Sequence, residues 1–161
     1  MDIRVGFGYD VHRFETGRKM QLGGVEIPFF KGLKGHSDAD ALLHAICDAL
    51  LGAAGLRDIG YHFPDSDDAF KEIDSKILLA RTWELINKQG FTIGNLDCTV
   101  VAENPKINPY IETMKTAIAR ILQTNVTKIG IKATTKEGLG AIGREEGLEA
   151  YAVVLLMNAK D

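Results

Sequence analysis

Residues 34–51 read KGHSDADALLHAICDALL, and their spacing sets the architecture around them. From Asp38 onward, Leu42, Leu43, Ala45, Ile46, Ala49 and Leu50 recur at the helical period. Ser37 or Asp38 is placed to cap this helix, with Asp40 adding negative charge to its first turn. Asp40, His44 and Asp48 are each four residues apart, so they stack on one face. One side of the helix is therefore packing, and the other presents acid, imidazole, acid. His36 lies just ahead of the cap, near amides that suit an anion.

Working outward, Ile3, Val5, Phe7, Tyr9 and Val11 alternate with other residues, which predicts a strand over 2–12. Gly6 and Gly8 interrupt it and suit a close backbone approach or a bulge. Asp10 and His12 are two apart and share one strand face. Gly23-Gly24 between Leu22 and Val25 predicts a hairpin within 20–27, and a glycine-rich loop leads into the helix. Residues 55–70 form a long irregular stretch rich in Gly, Pro and Asp, of the kind that carries function in a compact domain. A second helix runs from Asp74 or Ser75 to Gly90, with Ile77, Leu78, Trp83, Leu85 and Ile86 toward the core. A strand follows over 92–101. Asn108-Pro109 opens a third helix, with cap and first-turn proline in order. Strands over 128–134 and 148–157 flank a loop with four glycines.

The last strand is apolar on both sides. Leu148, Ala150, Ala152, Val154 and Leu156 face one way; Tyr151, Val153, Leu155 and Met157 face the other. Both faces should be covered. Three helices can cover one face of a four- or five-stranded sheet, and another copy of the chain is the economical cover for the second.

A chain of 161 residues is most simply one domain, 1–161. Its 19 basic and 22 acidic side chains are scattered. They give no sign of a nucleic-acid or membrane surface. No apolar run reaches the length of a membrane span, and MDIRVGFGYD lacks a signal-peptide pattern. Cys47 and Cys98 are far apart in sequence and read as buried thiols, which fits a reducing, cytoplasmic setting.

Asp10, His12 and His44 make an O,N,N set drawn from a strand and a helix. Such a set suits zinc, and three protein ligands leave a fourth position open, the catalytic pattern. The alternative for His44 is an ordinary hydrogen-bonded helix residue. His36-Ser37 suits a phosphate or a plain cap. Asp58, Asp65 and Asp67 suit hydroxyls, a cation or solvated turns. Lys132-Ala133-Thr134-Thr135-Lys136-Glu137 closes a strand before a glycine-rich loop, where a phosphate site or a polar turn would form. No P-loop, no GxSxG and no Cys–His nucleophile pattern is present.

The stretches GYDVHRF (8–14), LGGVEIP (22–28), HSDADALLHAICDALLGAAGLRDIG (36–60), HFPDSD (62–67), NPKI (104–107), KATTKEGLG (132–140) and GREEG (143–147) resemble, in order, the 2-C-methyl-D-erythritol 2,4-cyclodiphosphate synthase family. One departure is Ala141, where many members carry an aromatic. The resemblance implies an α+β fold: a mixed sheet with three helices on one face, a ferredoxin-like α-β plait, assembled as a homotrimer with sheets facing the centre. It implies a cyclising, CMP-releasing phosphorus–oxygen lyase of the non-mevalonate isoprenoid pathway, acting on 4-diphosphocytidyl-2-C-methyl-D-erythritol 2-phosphate.

By the same resemblance, Asp10, His12 and His44 hold zinc, Asp10 and His12 also meet substrate, and Glu137 holds magnesium or manganese. His36 and Thr135 stabilise the transition state, with Ser37, Thr134 and Lys136 beside them. Asp58 takes the ribose hydroxyls, and Ile59 and Gly60 beside it also bind substrate. Phe63, Pro64, Asp65, Ser66 and Asp67 take the methylerythritol. Ala102, Pro105 and Ile107 form the cytosine pocket, with Lys106 near phosphate. Asp40 is expected behind a ligand histidine, and Asp48 has no assigned role. Arg144 and Glu146 are expected near the three-fold axis, lining a cavity for an isoprenoid diphosphate. Two rivals use the same residues: a zinc phosphohydrolase, and a non-catalytic nucleotide- or isoprenoid-binding trimer.

Overall fold

The computed structural model describes residues 1–158. Strand β1 (Asp2–Thr16) is followed by the short strands β2 (Met20–Leu22), β3 (Val25–Ile27) and β4 (Lys31–Leu33). Helix α1 (Ala41–Ala53), a single turn α2 (Ile59–His62) and helix α3 (Ser75–Lys88) come next. Then follow β5 (Phe91–Val101), α4 (Ile111–Ile121), β6 (Ile129–Thr134), a single turn α5 (Gly140–Gly143) and β7 (Gly147–Asn158).

One five-stranded sheet runs in the order β4-β1-β7-β5-β6, and β2-β3 pair separately. Strand β5 is parallel to β6 and antiparallel to β7, so the sheet is mixed. The connectivity is not the βαββαβ order of a ferredoxin-like plait. Helix α4 falls between β5 and β6 and makes them a parallel crossover pair, while β7 inserts between β1 and β5. That part of the expected fold is corrected; the mixed sheet under three long helices stands.

The sheet's inner face is fixed by β1 and α1. Gly6 and Gly8 are buried beneath the helix. A Cβ at Gly6 would lie 1.8 Å from the Ala49 carbonyl oxygen, and one at Gly8 would lie 1.8 Å from that of Ala45. The two glycines are thus a close approach, not a bulge. The alternating apolar residues of β1 face the opposite way. Ile3, Val5 and Phe7 are 56%, 67% and 61% exposed, and Val153 of β7 is 43% exposed beside them. The outer face is apolar along β1 and β7 and has no cover within the described residues.

Helix α1 starts later than the sequence suggests. Asp40 is its cap, accepting from the Leu43 amide at 3.0 Å. Asp40 is fully buried and also accepts from the amides of Gly23 and Gly24, at 2.9 and 2.7 Å. It therefore joins the helix start to the β2–β3 turn and does not stand behind His44, contrary to the expectation from its position one turn earlier. Burial first, and then the nearby Asp38 charge, push its carboxyl up to about 6 against those three amide donors.

Asp74 caps α3 through the Lys76 amide at 2.8 Å. Leu78, Trp83 and Ile86 face the core, but Ile77 and Leu85 are exposed, and Leu79 and Thr82 take the inward places. The third helix enters through a tight turn over Asn108–Tyr110, with Pro109 in that turn and no side-chain cap from Asn108. Cys47 and Cys98 are free and buried. No helix of the described residues is long and apolar enough to cross a membrane.

Candidate active site

Asp10 and His12 leave β1 on the side facing α1, and His44 meets them from the helix. His12 Nε2 lies 2.8 Å and His44 Nδ1 lies 3.0 Å from the same oxygen, Asp10 Oδ2. The two ring nitrogens are 3.3 Å apart. Among the described residues this is the one group of three His, Cys, Asp or Glu side chains whose ligand atoms converge, all within 4.8 Å.

The far side of each ring settles its tautomer. His12 Nδ1 lies 2.7 Å from the Lys34 carbonyl, which can only accept, so Nδ1 carries the hydrogen and Nε2 keeps its lone pair. His44 Nε2 lies 2.9 Å from Ser75 Oγ and 3.2 Å from Ser37 Oγ. Ser75 Oγ gives its own hydrogen to the Asp38 carboxylate, so it accepts from His44 Nε2–H and leaves Nδ1 free. Where these inner nitrogens carry a proton they donate to Asp10; burial opposes ionisation of that carboxyl, but the hydrogen bonds from His12 and His44 outweigh it and draw it down to about 2. Burial likewise works against a charge on His12, yet Asp10 raises its pKa above the ordinary imidazole value. With those protons gone, one anionic oxygen and two imidazole lone pairs aim at one point, a donor set that fits a divalent transition metal.

These groups open into a cleft of about 340 Å³. Gly35, His36 and Ser37 form one wall, where a Cβ at Gly35 would come within 3.0 Å of the His12 ring. Ile59, Gly60, Phe63, Pro64 and Asp65 form another, closed off by Phe70, Ile73 and Leu78. Asp48, left without a role by the sequence, accepts from the Ile59 amide at 2.7 Å and so holds this wall to α1. Asp58 caps the α2 turn at the Tyr61 amide, 3.2 Å away, and is exposed. Ser66 and Asp67 are exposed outside the cleft lining, and Asp67 caps the next turn at the Ala69 amide.

The remaining expected site residues do not line this cleft. Ala102, Pro105, Lys106 and Ile107 follow β5, and Thr134, Thr135, Lys136 and Glu137 follow β6. Pairing runs from Asp10 to Ala150, Val100 and Ala133, so both groups lie at the same end of the sheet. Strand β1 is three places from β6, about 14 Å at the usual strand spacing. The second group is internally tied. Glu103 Oε1 accepts from the Lys136 amide at 2.7 Å, and the Glu137 amide donates to Thr135 Oγ1 at 3.2 Å. Lys136 Nζ lies 3.1 Å from Glu149, and Arg144 Nε donates to Glu146 at 2.8 Å. Ala141 is exposed.

Sequence reasoning missed Ser75, Asp38 and the Lys34 carbonyl as the groups that orient the histidines. Nothing local marks them: Ser75 is 31 residues from His44 and looks like an ordinary helix start. Burial pushes the Cys47 thiol up to about 12, so it offers no thiolate.

A mixed α+β fold with a convergent Asp-His-His set, able to hold a metal, in a strand-end cleft defines the class of protein. The particular family is shown by comparison: the YgbB family model matches residues 3–157, and the chain belongs to that family. A 2-C-methyl-D-erythritol 2,4-cyclodiphosphate synthase of Porphyromonas gingivalis is 60% identical over 157 residues, covering 98% of this chain and 97% of that protein. Among solved structures, the bifunctional IspDF of Campylobacter jejuni is 43% identical with a TM-score of 0.93. It covers 96% of this chain, which spans 42% of that longer one. The CDP complex of IspF from Plasmodium falciparum is 36% identical with a TM-score of 0.86, over 97% of this chain and 96% of that one.

Proposed function

We propose that the chain, as one synthase domain over residues 1–161, converts 4-diphosphocytidyl-2-C-methyl-D-erythritol 2-phosphate into 2-C-methyl-D-erythritol 2,4-cyclodiphosphate and CMP. It would act as a metal-dependent, cyclising phosphorus–oxygen lyase of non-mevalonate isoprenoid biosynthesis. The names of its relatives, and the CDP complex of the Plasmodium falciparum protein, support this substrate class. The observation that carries the reading is the Asp10-His12-His44 cluster opening into the cleft that His36 and Ser37 line.

Zinc is the metal this donor set suits, and Glu137 is the candidate ligand for a second ion, magnesium or manganese, which take few protein oxygens. When bound, such cations supply Lewis-acid stabilisation of charge on phosphoryl oxygens. In the reaction an oxygen of the 2-phosphate bonds to the β-phosphorus. The bond from that phosphorus to the bridging oxygen breaks, and CMP leaves with the electron pair. The nucleophile is already anionic, so no base need remove a proton and no Ser or Cys nucleophile is required. The chain's own task is placement and charge complementarity.

In this reading His36 and Ser37 hold the phosphates from one side, and Thr134, Thr135 and Lys136 from the other. Asp58, Ile59 and Gly60 take the ribose, and Phe63 to Asp67 the methylerythritol. Ala102, Pro105 and Ile107 take the cytosine, with Lys106 toward phosphate. The working unit is a homotrimer with its sheets facing the centre. That would cover the apolar outer face and bring one subunit's β6 end to another's cleft. Arg144 and Glu146 would then line an axial cavity suited to an isoprenoid diphosphate.

Phosphorus NMR after incubation with the diphosphocytidyl substrate tests the reading. The expected products are the cyclic diphosphate and CMP. Release of inorganic phosphate would instead mark a phosphohydrolase, and an unchanged substrate would mark a binding protein.

A further inference from the structure

The turn after β1 lies outside the cleft, yet its Arg18 reaches the segment that carries His36 and Ser37. Arg18 Nη2 donates to the Ser37 carbonyl at 2.8 Å, and Nη1 donates to the Gly35 carbonyl at 3.2 Å. These two carbonyls flank His36. The His36 carbonyl between them accepts from the Glu72 amide at 2.8 Å. Three successive carbonyls of the cleft wall are therefore held by donors from outside it, two of them by one guanidinium.

The same guanidinium faces the Glu72 carboxylate at 3.5 Å and that of Glu15 at 4.0 Å. Glu72 adopts a left-handed backbone, φ 54°, which a non-glycine residue takes only when its surroundings hold it there. Arg18 is itself anchored. Its side chain is 22% exposed, and Gly32 of β4 packs so closely that a Cβ there would come within 2.4 Å of the Lys19 carbonyl oxygen.

The wall from Gly35 to Ser37 has no regular secondary structure to fix it. Its direction decides where the His36 imidazole points and whether Ser37 Oγ reaches His44. A guanidinium is a rigid planar fork able to grip two carbonyls at once, whereas an ammonium is a single point on a flexible stem. We propose that Arg18 is a positioning residue for the cyclisation. It fixes the His36–Ser37 wall and, through Glu72, ties that wall to the cleft rim. This rests on the proposed function, and it assigns Arg18 no contact with substrate.

The test compares Arg18→Ala and Arg18→Lys with the parent protein in full kinetics, zinc content and thermal midpoint, with Lys19→Ala as a control on the same turn. A small displacement of a positioning group lowers turnover more than substrate binding, so kcat should fall about 10- to 100-fold in Arg18→Ala, with KM and zinc content near the parent's. Arg18→Lys, which keeps charge and stem, should remain closer to Arg18→Ala than to the parent. Ethylguanidinium added to Arg18→Ala should recover part of the rate and leave the parent and Lys19→Ala unchanged. Parent-level kcat in both Arg18 variants overturns the inference. So does a loss that guanidinium does not restore and that tracks zinc content or the thermal midpoint, which would make Arg18 merely structural. A parent protein that makes no cyclic diphosphate overturns the proposed function first, and is thereby distinguished from either result.

Discussion

At the level of single residues, the site is a problem in hydrogen accounting. Each histidine has one nitrogen committed to a fixed acceptor, Lys34 O for His12 and Ser75 Oγ for His44, and the other nitrogen is left for a metal. Replacing Ser75 with Ala removes the acceptor that orients His44, and is expected to weaken zinc affinity about 10- to 100-fold without unfolding the protein. Competition with a chelating indicator reads this directly, and parent-like affinity would refute the orienting role. The pH dependence has a definite sign. Asp10 raises the His12 pKa above its ordinary value, so as pH falls below that raised value a proton increasingly occupies the nitrogen the metal needs. Asp10, drawn down to about 2, stays ionised throughout and adds nothing to this window. Zinc affinity should therefore fall as pH drops through the raised His12 value, with proton release on binding growing toward the acid end. Calorimetry in two buffers of different ionisation enthalpy measures both. The metal-free fold responds the other way. The stability from His12's raised pKa is present below the unfolded value and is lost as pH rises through the folded one. The ligands themselves are legible from the DxH spacing and the i, i+4 stripe. Their supporting groups are not, because a carbonyl and a helix-start serine look the same wherever they occur.

At the level of elements, the pattern that predicts a strand does not say which side of it is inside. In β1 the apolar alternation faces outward and the glycines face in, because α1 approaches so closely that no Cβ fits between them. The same approach brings His44 within reach of Asp10 and His12, so packing and chemistry share one constraint. Gly8→Ala would push a methyl into the Ala45 carbonyl. It is expected to destabilise the fold by at least about 1–3 kcal/mol, the usual range for overpacking, and to lower metal affinity as the helix is displaced. Urea denaturation with a parallel zinc titration checks both effects; an unchanged midpoint would mean that α1 shifts freely, against the packing described. The start of α1 escapes a sequence reading for a related reason. Ser37, Asp38 and Asp40 are all competent caps, and tertiary bonds from Gly23 and Gly24 select Asp40. The ferredoxin-like connectivity fails because strand pairing is non-local, and nothing within β7 reveals that it inserts between β1 and β5.

At the level of the whole molecule, two observations converge. The outer face along β1 and β7 is apolar and exposed, and the two halves of the candidate site lie three strands apart. The need for a cover is legible in the two-sided apolar pattern of residues 148–157. The geometry of that cover is not, since a single chain's sequence carries no symmetry operator. Light scattering should return three chains per particle at micromolar concentration, and a monomer would remove the basis for a shared site. A stronger test mixes two defects. His44→Ala disables the cleft half of a site, and Glu137→Gln disables the strand-end half. If each site draws its halves from different subunits, co-expressed mixed trimers will contain some sites whose cleft comes from the Glu137→Gln chain and whose strand ends come from the His44→Ala chain. Random assembly of a closed three-fold ring makes about one quarter of all sites intact in this way. Activity should therefore reappear in the mixture at about that fraction of the parent's, while either variant alone stays inactive. Mixing preformed trimers without unfolding should restore nothing, because the apolar interface holds them together. If the co-expressed mixture remained as inactive as its parts, both halves of each site would belong to one chain, and the inter-subunit site would be wrong even if the trimer itself stood.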